Sequence, residues 1–165
     1  MRDRERAVLT TPQTETSVRK SVSVEADREH AFDVFTQGFD SWWLRSHHIG
    51  DAEMDVAVME PWEGGRWYEK GVDGSECDWG YVIVWDPPRR LVLAWQINGE
   101  WKFDASLVTE VEVVFTEETP TRTRVELEHR DLHRMGQAAE EIRGVFESEN
   151  GWAGILRHFA AQAEV

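Results

Sequence analysis

The sequence predicts an α+β fold in which a curved antiparallel sheet of six to seven strands surrounds one long C-terminal helix. From Ala52 to His129, apolar and polar residues alternate with a period of two, which is typical of β-strands. The last thirty residues carry apolar side chains at spacings of three and four, which is typical of an amphipathic helix. One strand and two short helices are predicted before Ala52, and this order of elements belongs to the α+β class.

The residues before Ala52 contain a separate sequence signal for each of these three elements. Valines alternate with polar residues over 17–25, a pattern that favours an extended strand. Asp27 is a suitable N-cap for a helix over 27–37, and Gly38 is a suitable end for it. Four apolar residues crowd into 39–44 and predict a second helical turn packed against the first helix.

Three antiparallel hairpins are predicted in the middle of the chain, because turn residues separate the alternating segments. The first turn contains Gly64-Gly65, the second Pro87-Pro88, and the third Thr119-Pro120-Thr121. The residues that share one face of their strand are Met54, Val56 and Val58; Trp79, Tyr81, Ile83 and Trp85; Leu91, Leu93, Trp95 and Ile97; Val111, Val113 and Phe115; and Thr123, Val125, Leu127 and His129.

Glycines weaken the C-terminal helix at a defined place. Gly144, Gly151 and Gly154 each cost roughly 1 kcal/mol relative to Ala in a helix interior. We therefore expect a break or bend near Asn150-Gly151, with the stronger helical segment over 148–163.

Length and charge limit the functions that this chain can have. Its 165 residues suit one domain, which we place at 17–165 after a poorly ordered tail over 1–16. The net charge of -14 repels phosphate backbones, which speaks against nucleic acid as a partner. No stretch approaches the roughly 18 to 20 apolar residues that cross a bilayer, and no signal-peptide pattern opens the chain. A cytoplasmic location without membrane insertion is therefore expected.

A cavity is predicted between the sheet and the C-terminal helix. The apolar stripe of one helix is only about 100° wide, too narrow to cover six or seven strands. The nine tryptophans either close that gap or surround a pocket, and small-molecule pockets are mostly apolar and occupy about 300–1,000 Å³. Aromatic residues at strand and helix spacing are more often core residues than ligand contacts. The candidates to line the cavity are Trp42, Trp43, Val56, Val58, Trp67, Glu69, Trp79, Tyr81, Trp95, Trp101, Val113, Phe115, Leu127, His129, Trp152, Leu156 and Phe159.

Several motifs, taken together, carry a family resemblance. The run from Trp79 to Trp95 ends a strand in Asp-Pro-Pro-Arg-Arg-Leu; Gly64-Gly65-Arg66-Trp67 precedes it, and Glu128-His129 and Gly151-Trp152 follow. Over about residues 17–163 the chain resembles the START-like superfamily of polyketide cyclases and lipid-transfer domains (SRPBCC, Bet v 1-like). Within it, the chain is most similar to bacterial homologues of the activator of the heat-shock protein 90 ATPase. The resemblance implies a helix-grip fold, in which the sheet grips the C-terminal helix over an elongated cavity.

Two polar residues deserve both a structural and a functional interpretation. His129 is either a satisfied structural histidine or a donor, acid or base toward a ligand. Glu69 shares a face with Trp67, so it is paired with a cation, exposed, or in contact with a ligand.

A metal site and a reactive thiol are both disfavoured. His47, His48 and Asp51 are too few and too divergent for zinc, so we expect neither a metal nor a cofactor. Cys77 lies among carboxylates and is expected to be a passive strand residue.

Three functions follow as hypotheses. The first is a cofactor-free binding module for an apolar or amphipathic small molecule, with a lipid or a polyketide-like molecule as the ligand. The second is a cyclase or aromatase-like enzyme, although no nucleophile, base and orienting residue stand out as a set. The third is a stress-response co-chaperone, which the resemblance suggests; the eukaryotic activators carry a separate N-terminal domain that 1–16 is too short to supply. Exposed aromatic surface would also be compatible with a homodimer.

Overall fold

A computed structural model describes residues 16–165 and shows seven antiparallel strands in one curled sheet, with the helices on its inner side. The strands are β1 Val18–Val24, β2 Met54–Met59, β3 Arg66–Gly71, β4 Glu76–Asp86, β5 Arg90–Trp95, β6 Thr109–Thr119 and β7 Arg122–Arg130. Their order across the sheet is β1-β7-β6-β5-β4-β3-β2. The expected α+β class and the helix-grip arrangement are confirmed. Residues 1–15 of the expected tail lie outside the described residues.

Within residues 16–165, four α-helices accompany the sheet. They are α1 Arg28–Thr36, α2 Phe39–Trp42, α3 Ala139–Glu147 and α4 Gly154–Ala163. The side chain of Asp27 accepts a hydrogen bond from the amide of His30 at 2.7 Å, so it caps α1 as predicted. A 3₁₀ segment over Leu132–Ala138 leads from β7 into α3. No helix among residues 16–165 is long and apolar enough to cross a membrane.

The C-terminal helix is broken where the glycines predicted a break. Between α3 and α4 the chain makes a wide turn over Glu149–Ala153. Gly151 has non-helical backbone angles, and a Cβ atom there would lie 2.3 Å from the carbonyl oxygen of Phe146. The expected helical segment over 148–163 therefore starts too early, because this turn takes up its first residues.

Aromatic rings fill much of the space beneath α4. Phe35 of α1 lies 5.2 Å from Phe159 of α4, and Phe115 of β6 lies 5.1 Å from Phe32, measured between ring centroids. Trp42 packs against Phe159 at 5.4 Å. The region under α4 is therefore a packed core, and the elongated cavity expected along the whole helix is absent from this part of the described structure.

Register irregularities change which residues face inward on two strands. In β4, Trp79 has no register partner on β3 and Ile83 has none on β5, which is the pattern of β-bulges. Tyr81 pairs with Arg66 and Ala94 and is 38% exposed, so its expected inward position is wrong.

The same effect operates on β2. A register shift between Met54 and Val56 places Ala57 and Met59 in the core. Val56 and Val58 are half-buried opposite Lys70 and Tyr68 on the outer face, which corrects their expected place at the cavity. A residue inserted into a strand reverses the faces of those that follow it.

Substitution of Gly151 by Ala tests whether the helix break needs a glycine. The added Cβ would clash with two backbone carbonyls, those of Val145 and Phe146, so we expect the free energy of unfolding to fall by about 3 kcal/mol. Gly144→Ala is the matched control: nothing lies within 4 Å of the added Cβ, and the change should raise stability by about 0.5–1 kcal/mol. Urea denaturation measures both, and equal effects of the two variants would contradict this account.

Candidate functional site

A cavity of about 320 Å³ lies beside the helix break. Its walls come from the loop between α2 and β2 (residues 43–53, the α2–β2 loop), from β4 and β5, and from both sides of the break. The lining residues are Trp43, Ser46, His47, His48, Ile49, Trp79, Trp95, Ile97, Trp101, Val145, Phe146, Asn150, Gly151, Trp152 and Ile155. Its size and apolar lining are those of a small-molecule site.

Another depression, of about 530 Å³, is larger but has a different character. It is an open feature lined by charged residues of β1, β6 and β7. Its basic residues are paired with acidic ones, as in the 3.1 Å contact between Arg19 and Glu128. Leu127, which was expected at the cavity, adjoins this depression although its side chain is buried. The tryptophan-lined cavity is therefore the better candidate for an apolar ligand.

Four of the five tryptophans at the cavity use their indole N–H groups inside the protein. Trp43 donates to the carbonyl of His47 at 2.9 Å, and Trp95 donates to the carbonyl of Ile97 at 3.1 Å. Trp79 donates to Oε1 of Glu69 at 2.9 Å. Trp152 donates to Nδ1 of His129 at 3.2 Å. These indoles therefore offer the cavity aromatic carbon rather than hydrogen-bond donors.

His129 joins two of these walls through a buried chain of hydrogen bonds. An indole nitrogen can only donate, so Nδ1 of His129 is the acceptor and the ring proton sits on Nε2. Nε2 donates to the hydroxyl of Thr109 at 2.9 Å, and that hydroxyl donates to the carbonyl of Trp95 at 3.3 Å. The ring of His129 also stacks on Phe146, with centroids 4.6 Å apart.

Burial keeps His129 neutral. The residue is fully buried, and desolvation lowers the pKa of its imidazole from 6.5 to about 3. His129 lies behind the cavity wall and does not line it, which favours the structural interpretation of this residue. The network fixes the positions of Trp95 and Trp152 relative to each other.

Glu69 of β3 holds the α2–β2 loop in place by hydrogen bonds to its backbone. The residue is 1% exposed, and its carboxylate accepts hydrogen bonds from the amides of Ile49 at 2.7 Å and Gly50 at 3.0 Å, besides the indole of Trp79. Nδ1 of His48 lies 3.9 Å from Oε2 of Glu69. The carboxylate is thus solvated by N–H groups rather than by a lysine or arginine, and it does not line the cavity.

Two histidines of the α2–β2 loop reach the cavity. Nε2 of His47 lies 3.4 Å from the carbonyl oxygen of Asn150, which connects the loop to the helix break, and its Nδ1 lies 3.1 Å from the hydroxyl of Ser46. Nδ1 of His48 lies 3.0 Å from the carbonyl oxygen of Gly50. No group of three or more His, Cys, Asp and Glu residues within 16–165 is placed to hold a metal ion.

Trp101 stands at the mouth of the cavity in a strained conformation. Its φ of 62° is the left-handed region, which costs a non-glycine residue about 1–2 kcal/mol. The side chain is 41% exposed, and its ring lies 6.2 Å from that of Phe146. The loop therefore holds a large apolar ring partly in solvent, next to the opening.

The structure divides the predicted lining residues into two groups. Five of them, all tryptophans, lie at the cavity wall: Trp43, Trp79, Trp95, Trp101 and Trp152. The others do not reach this cavity. Besides the outward-facing residues already described, those in the core or behind the wall are Trp42, Trp67, Glu69, Val113, Phe115, Leu127, His129, Leu156 and Phe159. Of these, Trp42 and Phe159 belong to the aromatic packing under α4, while Glu69 and His129 hold the cavity tryptophans from behind.

Sequence reasoning missed most of the cavity's loop and helix-break residues. Ser46, His47, His48 and Ile49 follow directly after Trp42-Trp43, and their position beside an apolar cluster was the available signal. Asn150 belongs to the predicted break, and Phe146 precedes it by about one helical turn. The missing information was that the break itself adjoins the cavity.

A change of His129 to Gln tests its neutral, buried state. Between pH 3 and 6.5 the unfolded chain binds a proton at this residue that the folded chain does not, so stability falls as the pH is lowered through that window. Gln can still accept from Trp152 and donate to Thr109 but does not titrate. From about pH 7 to 4, the wild type should lose about 2–3 kcal/mol more than the variant. Urea denaturation at several pH values measures the free energy of unfolding of both proteins. The same pH dependence in the wild type and in His129→Gln would contradict this prediction.

Comparison with known proteins supplies the family. The family model described as "Activator of Hsp90 ATPase homolog 1-like protein" matches residues 25–164. A comparison with curated protein sequences found no match.

Solved structures share the fold over nearly the whole chain. One is an anthrahydroquino-γ-pyrone synthase, 40% identical, with a TM-score of 0.63 and coverage of 89% of this chain and 97% of that chain. Another is CalC from Micromonospora echinospora, a self-sacrificing resistance protein, 33% identical, with a TM-score of 0.67 and coverage of 90% and 94%. The Aha1 dimer from Colwellia psychrerythraea, 15% identical with a TM-score of 0.59, covers 90% of this chain and 96% of that chain and shares the fold. The chain therefore belongs to the activator of Hsp90 ATPase homolog 1-like family, within the START-like helix-grip proteins.

Proposed function

We propose that this protein binds a planar, mainly apolar aromatic small molecule of the polyketide type in the tryptophan-lined cavity. The observation that carries the proposal is the wall itself: five tryptophans surround about 320 Å³, and four of them have their N–H groups engaged elsewhere. Flat aromatic faces favour flat aromatic guests, because offset stacking and edge-to-face contacts add to the burial of apolar surface.

The similarity to solved structures supports the same ligand class. The synthase that is 40% identical to this chain makes a fused aromatic product according to its name. A protein of net charge -14 is also better suited to a neutral guest than to an anionic one. Ligands with long flexible acyl chains fit less well, because the core beneath α4 is filled by aromatic rings.

Binding can be tested by closing the mouth of the cavity. Val145 lies at the mouth and is 41% exposed, so Val145→Trp should fill the opening without disturbing the core. The probe is 2-hydroxyanthraquinone, a neutral planar compound, added to the wild-type protein while tryptophan fluorescence and heat of binding are recorded. We expect saturable one-to-one binding by the wild type and a loss of at least about tenfold in affinity in the variant.

Val72→Trp is the matched control. Val72 is a similarly exposed valine, 63% accessible, and it does not line the tryptophan cavity. This variant should bind the probe like the wild type. The proposal is wrong if the wild type does not bind, or if Val145→Trp and Val72→Trp bind equally well while both melt at the wild-type temperature.

A cyclase-like activity is the second candidate, and the 40% identity to a synthase favours it. His47 and His48 are the titratable side chains among the described lining residues, so acid or base catalysis would depend on them. Mass spectrometry of a polyketone incubated with the protein separates this function from binding alone. A product that forms with the wild type and not with the histidine variants would favour the enzyme.

Activation of a heat-shock protein 90 homologue, which the family name suggests, is tested separately by measuring the ATPase rate of that homologue with and without this protein.

A further inference from the structure

Some polar groups at the cavity wall have no hydrogen-bond partner among residues 16–165: the indole N–H of Trp101, the side-chain amide of Asn150 and Nε2 of His48. Indole N–H groups of four wall tryptophans are already hydrogen-bonded. Ser46 and His47 contact each other at 3.1 Å, and the second nitrogen of His47 faces the carbonyl oxygen of Asn150. Nε2 of His48 has no hydrogen-bond partner among residues 16–165 in the structure.

The environment of His48 sets which of its nitrogens carries the proton. A carbonyl oxygen only accepts, so the 3.0 Å contact with Gly50 requires a proton on Nδ1. Oε2 of Glu69, 3.9 Å from the same nitrogen, favours a proton there electrostatically. In the neutral ring Nε2 is then an acceptor with a free lone pair.

The α2–β2 loop holds this ring in place. The amide of Gly50 donates to Glu69 at 3.0 Å, while the carbonyl oxygen of Gly50 accepts a hydrogen bond from Nδ1 of His48. Glu69 is buried and fixed to Trp79 of β4. Hydrogen bonds through Gly50 and Glu69 thereby hold the imidazole in a fixed position relative to the sheet. A ring that is already fixed loses less conformational entropy when a ligand binds.

We propose that Nε2 of His48 accepts a hydrogen bond from a hydroxyl group on the edge of the ligand, so that the cavity selects hydroxylated aromatic compounds. This inference rests on the proposed function and narrows its ligand class to phenols. A polar group that a ligand must satisfy gives more discrimination than an apolar wall, because a ligand without the hydroxyl leaves the acceptor unpaired. The expected preference is about tenfold.

Two probes that differ by one hydroxyl test the proposal in the wild-type protein. Anthraquinone and 2-hydroxyanthraquinone have the same ring system, and calorimetry compares their affinities. We expect the hydroxylated probe to bind about tenfold more tightly. Equal affinities would overturn the inference while leaving the proposed function intact. Failure of both probes to bind would overturn the proposed function and this inference with it.

Variants of His48 assign the preference to one atom. In His48→Asn the amide nitrogen can still donate to Gly50, but no group replaces Nε2, so the ratio of the affinities for the two probes should fall to about one. In His48→Gln the longer amide reaches toward the position of Nε2 and should restore part of the preference. His158→Asn, at an exposed position on α4 outside the cavity, is the matched control and should behave like the wild type. A full preference in His48→Asn would contradict the proposal.

A spectroscopic measurement on the unmodified chain covers the case in which a His48 variant fails to fold. With ¹⁵N-labelled histidine, the Nε2 resonance of His48 should shift when 2-hydroxyanthraquinone binds and shift much less with anthraquinone. Equal shifts with both probes would show that the hydroxyl does not reach this nitrogen.

Discussion

The break in the C-terminal helix at Gly151 is the constraint on which the site depends. A continuous helix would carry its apolar stripe straight on, as α4 does where Phe159 packs on Phe35 of α1, which in turn packs on Phe115 of β6. Because the chain turns at Glu149–Ala153, Trp152 instead enters the interior beside His129. The space left between the two helical segments and the α2–β2 loop is the cavity, so a single backbone feature both opens it and supplies part of its wall.

Hydrogen bonding decides the chemical character of that wall. Tryptophan is amphipathic, and an unpaired indole N–H facing a cavity would favour polar guests or water. The structure pairs four of the five indole N–H groups with acceptors in the protein, two of them with His129 and Glu69 behind the wall. These two residues, first considered as ligand contacts, instead orient the aromatic rings that form the contact surface. The polar groups that remain at the wall include Nε2 of His48 on the α2–β2 loop.

The alternation of apolar and polar residues was sufficient to predict which side chains face inward where a strand contains no bulge. β7 and its inward residues Val125, Leu127 and His129 follow the period-two alternation without interruption, because no bulge occurs in β7. β2 and β4 contain bulges, and there the same reasoning placed Val56 and Tyr81 on the wrong face. A bulge is stabilised by the neighbouring strands rather than by a distinctive local sequence, so alternation in one strand does not reveal it.

The sequence by itself determined the α+β class, the order of elements, the family and the weak point of the C-terminal helix, because each depends on local spacing or on motifs of adjacent residues. Only the tertiary structure decided where the cavity lies, which five of the predicted residues adjoin it, and which polar groups remain free. Those properties depend on contacts between residues far apart in the chain, such as His47 with Asn150 and Trp152 with His129. The physical reason is that packing and hydrogen-bond pairing are set jointly by several elements, and no single segment carries that information.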